Sequence, residues 1–340
     1  MSRGAQYIDP VSHIWIHAAR QIGVKVVRTR DAYAATDGAG TLAIGEDALL
    51  DADDSLGQMI FHELCHSLIE GERSFEQRDW GLGNTNSDDN WREHACLRLQ
   101  WVLTGRYGLR VLFAPTTDFR SAFWDQLTGD VLADRGDRSV VAAIAGLRRV
   151  EMRPWSPALG KALHATAQIA MAASGFSADR ATLWHDAAPP SRHPSGLFAG
   201  VSGNCGSCAW RYEHRRAATC RQTGGAIDDA WPGCERFEPA LDCQTCGACC
   251  REAYHSVQIG KRDPIVKRQP DYVVDRKAYL ELARSGDRCS ALTGGHIDAG
   301  TGQRTGYACA IYDDRPKTCR DFTLGSAHCL TARQRVGLSL

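Results

Sequence analysis

A chain of 340 residues is too long for one typical core, which predicts two or three domains. Its 40 Lys and Arg balance its 40 Asp and Glu, and neither half has the strong basic excess of a nucleic-acid binder. No run approaches the roughly 18–20 apolar residues of a membrane span, and the opening MSRGAQYIDPVSH lacks an apolar signal core, so a cytoplasmic protein without a membrane partner is expected.

In chain order, Asp9-Pro10 reads as a helix cap followed by Pro at the first helical position, with Gly23 as the stop. Strands are expected at Val24–Thr29, Tyr33–Ala35 and Thr41–Ile44, the last two flanking the turn dipeptide Asp37-Gly38. A helix follows from about Ser55 to Glu70, capped by Asp54 or Ser55 and stopped by Gly71. A polar loop over 81–90 leads to a helix from about Trp91 to Thr104, stopped by Gly105. Residues 118–174 read as mostly helical. The Pro-, Gly- and Ser-rich stretch 185–204 reads as a linker. Beyond it, cysteines rather than periodicity set the spacing.

Two motif sets carry chemistry. The first is His62-Glu63-Leu64-Cys65-His66. Residues i and i+4 share one helix face, so His62 and His66 can reach one zinc ion while Glu63 faces its bound water as general base. A catalytic zinc needs a third protein ligand and one open position. Glu93 and His94 on the next helix are the candidates; Glu93 fits known ligand sets, and its alternative role is a capping box with Asn90.

The second is cysteine. Twelve of 14 lie between 205 and 329. Cytosolic thiols stay reduced, so this density points to metal rather than disulfides. Cys205, Cys208, Cys220 and Cys234 make one quartet, enough for a closed zinc site or an iron–sulfur cluster. Cys243, Cys246, Cys249, Cys250, Cys289, Cys309, Cys319 and Cys329 make an eight-residue group, large enough for one cluster plus accessory thiols or for two sites. His255, His296 and His328 are possible substitute ligands, and Arg315 and Tyr312 possible hydrogen-bond donors nearby.

Residues 41–71, followed by Arg92-Glu93-His94-Ala95-Cys96-Leu97, resemble the ImmA/IrrE group of zincin peptidases. The likeness spans roughly 33–105. It implies His62, His66 and Glu93 as zinc ligands and Glu63 as the base. Cys65 and Cys96 depart from that family's pattern and read as small buried side chains. The stretches CQTCGACC at 243–250, Cys289 and CAIYDDRPKTCRDF at 309–322 resemble the YkgJ-type cysteine-cluster family, and flagellin lysine N-methylase-like proteins carry a similar cluster. That likeness implies iron–sulfur or zinc binding.

The expected architecture is α+β: a zincin-like domain over 1–184, a linker over 185–204, a four-cysteine segment over 205–240 and an eight-cysteine domain over 241–340. Thr41–Ile44 is expected as the edge strand above the metal, able to pair with an extended peptide. The expected function is zinc-dependent hydrolysis of a peptide or protein substrate, with the cysteine module regulating the hydrolase or recruiting substrate. The competing expectations are a metal-binding or redox-sensing protein without peptidase activity, and a peptide-modifying enzyme acting at the cysteine cluster.

Overall fold

The computed structural model describes residues 7–83, 89–115, 119–177, 182–187, 192–251, 254–296 and 304–340. It is α+β and divides into two units, Met1–Ala133 with Ala142–Ser191, and Asp134–Val141 with Arg192–Leu340. Among the described residues no helix is long and apolar enough to cross a membrane.

In the first unit, helix α1 (Pro10–Ile22) begins where the Asp9 carboxylate accepts the Ser12 N–H at 2.8 Å. Pro10 occupies a first-turn position where a missing N–H costs nothing. Strands β1 (Lys25–Thr29), β2 (Ala34–Thr36) and β3 (Thr41–Gly45) form a sheet in the order β1-β3-β2. β3 is therefore central, not the expected edge strand. Asp37 explains half of this. Its carboxylate accepts the N–H groups of Ala39 and Thr41, closing a hairpin that sets β2 on one side of β3. β1 pairs in parallel on the other side, Lys25 opposite Thr41. Leu42 and Ile44 are fully buried, as a central strand requires.

Helix α2 (Leu56–Glu70) is capped by Ser55, which forms a reciprocal capping box with Gln58. Its buried face carries Ile60, Phe61, Leu64 and Leu68, each contributing about 1.5–3 kcal/mol on full burial. Phe61 joins Trp15 and Phe113 in a ring cluster with centroids 5.0–5.5 Å apart. Gly57 permits the contact between α1 and α2, because a Cβ there would lie 2.8 Å from Val11 Cγ1.

Helix α3 (Asn90–Tyr107) packs against α2. It continues past Gly105, the expected stop, and ends at Gly108, whose φ is 68°. Gly105 instead makes room for the Arg110 guanidinium, which would sit 2.4 Å from a Cβ there. The expected loop over 81–90 lies mostly at 84–88, outside the described residues. Between 119 and 174 the chain is mostly helical, as expected, but in separate pieces. Helices α4 (Phe119–Ala122), α5 (Arg138–Arg149) and α6 (Ala158–Ser174) are separated by turns at Gly129, Gly136 and the Pro154–Pro157 segment. Trp15 Nε1 donates to Thr166 on α6, and Trp155 Nε1 donates to Ser67 on α2, so both buried indoles are satisfied.

The second unit is built from short pieces: β4 (Ala199–Asn204), β5 (Arg211–His214), β6 (Ala217–Cys220), β7 (Pro232–Cys234), α7 (Cys243–Cys246), α8 (Ala248–Arg251), β8 (Gln258–Ile259), α9 (Ile265–Arg268), β9 (Val273–Asp275), β10 (Leu280–Leu282), β11 (Arg284–Ser285), β12 (Arg288–Cys289), β13 (Leu292–Gly294), β14 (Tyr307–Cys309), α10 (Lys317–Arg320) and α11 (Ala327–Arg335). β4 pairs with β7, so the later half of the expected linker is part of this unit. Buried Glu238 accepts from Trp210 Nε1 at 2.9 Å, from Ser339 and from Arg333 on α11. The four-cysteine segment and the eight-cysteine segment thus share one folded body.

Candidate metal centres

The α2–α3 pair assembles the first site. Ser55 starts α2 about two turns before His62, and the four-residue spacing of His62 and His66 puts both on one helix face. Their Nε2 atoms face each other at 3.1 Å. Glu93, one turn into α3, places its carboxylate 3.6 Å from His62 Nε2 and 3.2 Å from His66 Nε2. Asp89, not Asn90, caps α3 and makes no side-chain cap bond, so the capping-box role for Glu93 is not used. His94 turns elsewhere, with its ring stacked on Phe123 at 4.0 Å and 1°.

Three acceptor groups pointing at one spot need a cation between them. Burial alone would lower the His62 pKa, yet the Cys96 sulfur and the Glu93 carboxylate outweigh it and carry it up to about 10. Burial would raise Glu93, but His66 and His62 hold it down to about 2. The arrangement attracts a proton strongly, and the same donor set suits zinc. The side chains of His62 and Glu93 keep 20% and 21% of their surface exposed, which leaves a route to the spot they enclose.

The supporting residues are as specific as the ligands. His62 Nδ1 meets Gln100 Oε1 at 3.0 Å. The Gln100 amide can turn only one way, because its Nε2 donates to the Phe113 carbonyl at 2.6 Å. Gln100 therefore accepts a proton from His62 Nδ1, which leaves the Nε2 lone pair free for a metal. His66 Nδ1 is buried with no partner among the described residues. Cys96 also approaches: His62, His66 and Cys96 offer ligand atoms within 4.8 Å of one another. Its sulfur lies 4.0 Å from His62 Nδ1, on the Gln100 side of the ring, and donates to the His62 carbonyl. Burial, with a bond to Cys65, pushes its pKa far above the ordinary thiol value. Glu93, unlike Cys96, faces both Nε2 atoms.

Glu63 sits between the two histidines in sequence, and its Oε2 accepts the Trp80 indole N–H at 2.8 Å. Asp79 and Trp80 both have positive φ, 48° and 57°, a strain of about 1–3 kcal/mol per residue. β2 holds them there. Thr36 N–H donates to Asp79 Oδ1, and the Trp80 N–H donates to Thr36 Oγ1. Phe75 packs edge-on against the indole. A strained backbone thus fixes the group that orients Glu63.

The cysteines fall into three sets. Cys205, Cys208, Cys220 and Cys234 line one cavity. Cys250, Cys289, Cys309 and Cys319 share an apolar cluster with Ile259, Ile265 and Ile311. There the Cys319 thiol is pushed up to about 12, by burial and then by Cys250, Cys289 and Cys309. Arg315, stacked on Tyr312 at 3.6 Å, opposes that rise. Cys246 and Cys249 pack in a different cluster with Ala332 and Val336. Burial raises the Cys243 thiol, as do Cys246, Cys329, Asp242 and Cys250, and Cys329 packs with Trp210 and Leu330. The eight-cysteine group therefore divides between packing environments, with Cys246 and Cys249 in one and Cys250, Cys289, Cys309 and Cys319 in another. They adjoin at Cys249 and Cys250, whose sulfurs are 3.7 Å apart. Asp242 caps the first CxxC turn, and Gly247 (φ 58°) closes it where a Cβ would strike the Tyr307 ring. His255, His296 and His328 are exposed, and the His296 side chain bonds to Thr305.

Sequence reasoning missed Gln100, Trp80 and His193. The last lies in the expected linker, yet it is buried with Nε2 3.4 Å from Cys205 Sγ.

No curated protein and no solved structure matches the chain. One family model does match, over residues 242–335: CxxCxxCC, described as a "Putative zinc- or iron-chelating domain". That span holds all eight cysteines of the group, six of which pack in two of its apolar clusters.

Proposed function

We propose that the protein is a zinc-dependent peptide hydrolase joined to a thiolate metal-binding unit. The observation that carries this reading is the convergence of His62 Nε2, His66 Nε2 and the Glu93 carboxylate beside a separately oriented Glu63. Two imidazoles, one carboxylate and an open approach are the donor set of a hydrolytic rather than a closed structural zinc. When bound, zinc supplies Lewis acidity that polarises a carbonyl and acidifies water.

The protein's own residues do the rest. Glu63 takes a proton from the attacking water and delivers it to the departing amine nitrogen. The Trp80 N–H holds one Glu63 oxygen and leaves the other to face substrate. Gln100 keeps His62 in the tautomer that ligates. The peptide class of substrate rests on the likeness of residues 41–71 and 92–97 to ImmA/IrrE peptidases. Strand addition at β3 is not part of the proposal, because both its edges are already paired.

For the cysteine unit we propose metal binding that regulates cleavage or recruits substrate. Redox state separates the two: regulation makes cleavage by the whole chain depend on cluster oxidation, whereas recruitment does not.

The test is cleavage of a proteome-derived peptide library by the zinc-loaded chain, read by mass spectrometry of new termini. Wild type should generate cuts that Glu63→Gln does not, with zinc content equal in both. Equal cutting by both would remove Glu63 from the chemistry, and no cutting by wild type would remove the hydrolase reading.

A further inference from the structure

Outside the family match, the segment 192–238 contains a cavity that packing does not explain. Cys205 and Cys208 stand on a single helical turn, whose start is fixed by a reciprocal bond between Asn204 and Ser207. Cys220 ends β6 and Cys234 ends β7. β4 crosses β7 so closely that a Cβ on Gly200 would lie 2.5 Å from the Cys234 carbonyl. The result is four cysteines from three separate turns lining one cavity.

Two further side chains are aimed into it. His193 is 3% exposed, and its Nε2 lies 3.4 Å from Cys205 Sγ. Its Nδ1 accepts the Ser195 backbone N–H at 3.0 Å, so the neutral ring must carry its proton on Nε2. His193 therefore points an N–H at sulfur; it is not a spare lone pair. Trp231 meets the ring edge-on at 5.6 Å and fixes its plane. Gln222 also lines the cavity, and its amide nitrogen and oxygen are both buried without a partner. A buried amide with neither group satisfied is costly and calls for a polar occupant. Four clustered thiols make the same demand, since they cannot ionise together without a cation among them.

We propose that Cys205, Cys208, Cys220 and Cys234 are the four thiolate ligands of a metal centre separate from the eight cysteines at 243–329, and that His193 donates an N–H···S hydrogen bond to Cys205. The chemical class is a thiophilic centre, either one zinc or one iron–sulfur core. Its charge on sulfur is partly neutralised by His193, as hydrogen bonds to ligating sulfur do generally.

The experiment uses the whole chain, purified without oxygen, with metal and acid-labile sulfide counted per chain and folding followed by circular dichroism. Cys220→Ser should lose one centre's content, and Cys319→Ser, in a different set, should lose another. Cys220→Ser with Cys319→Ser should lose both. Loss of one zinc without sulfide identifies a zinc site; loss of iron and sulfide together identifies a cluster. Full wild-type content in Cys220→Ser overturns the proposal. Should that variant unfold, His193→Leu decides. It should keep the centre but release its metal to a chelator about tenfold faster, or lower the potential of a cluster. Release and potential identical to wild type would overturn the hydrogen-bond assignment.

Discussion

Gln100 on α3 accepts the proton of His62 Nδ1 at 3.0 Å, and its own amide is pinned by the Phe113 carbonyl. One residue with no charge and no contact to the enclosed spot thereby decides which nitrogen of His62 is free. Gln100→Leu should weaken zinc binding by about 10–100-fold while leaving the helix pair folded. Competition titration against a chelator checks it. Affinity equal to wild type would mean that packing alone sets the tautomer.

Trp80 should act on rate rather than on metal. Trp80→Phe removes the N–H that holds Glu63 but keeps most of the ring volume against Phe75. The expected result is normal zinc content with kcat lowered and KM little changed. A loss of zinc would show that the strained Asp79–Trp80 turn supports the ligands rather than the base.

Cys96 should be dispensable for metal. Its sulfur approaches His62 Nδ1, on the Gln100 side of the ring, and donates to the His62 carbonyl. Cys96→Ser should retain zinc at the His62/His66/Glu93 site. Loss of that zinc, with Glu93→Gln retaining it, would make Cys96 the third ligand.

The buried pair Glu238–Arg333 joins the two cysteine segments, with side chains only 5% and 6% exposed. Glu238→Gln leaves a buried guanidinium uncompensated and should cost about 3–5 kcal/mol in stability. Thermal unfolding of the chain measures it. Adding Arg333→Met should restore part of the loss. If Glu238→Gln unfolds like wild type, the segments do not depend on this link.

Metal uptake by the cysteine sets should release protons. Burial and neighbouring thiols raise Cys319 to about 12; burial and the backbone and sulfur groups around it bring Cys234 to about 11. Both thiols therefore hold their protons at neutral pH, and a metal must displace them. Apparent affinity should rise with pH up to those values and fall on acidification. Titration in weak buffer, following released protons, checks the sign. Uptake without proton release would mean the thiolates were already ionised.

What the sequence shows and what it hides follow one physical line. His62 and His66 are legible because i and i+4 meet on any helix. Asp9, Ser55 and Gly23 are legible because capping is local. Glu93 is within reach because α3 returns along α2. Gln100, 38 residues from His62, belongs to no motif and becomes visible only when the helices pack. Gly105 reads as a stop but serves as a seat for Arg110, a tertiary demand that overrides local propensity. β3 reads as an edge strand because nothing in a five-residue run says how many neighbours it has. His193 is concealed by its Pro- and Gly-rich surroundings, which suggest a linker although β4 begins six residues later. The eight cysteines cannot be partitioned from spacing, since Cys249 and Cys250 are adjacent in sequence yet pack in different clusters.

Two histidines and Glu93 holding one ion is the central claim about the α2–α3 pair. Cadmium-113 NMR of the whole chain separates nitrogen- and oxygen-ligated cadmium from thiolate-ligated cadmium by shift alone. Wild type should show one signal in the nitrogen–oxygen range. It should vanish in Glu93→Gln and persist in His94→Gln, whose ring is stacked on Phe123. No such signal in wild type, or its loss in His94→Gln with retention in Glu93→Gln, would contradict the site.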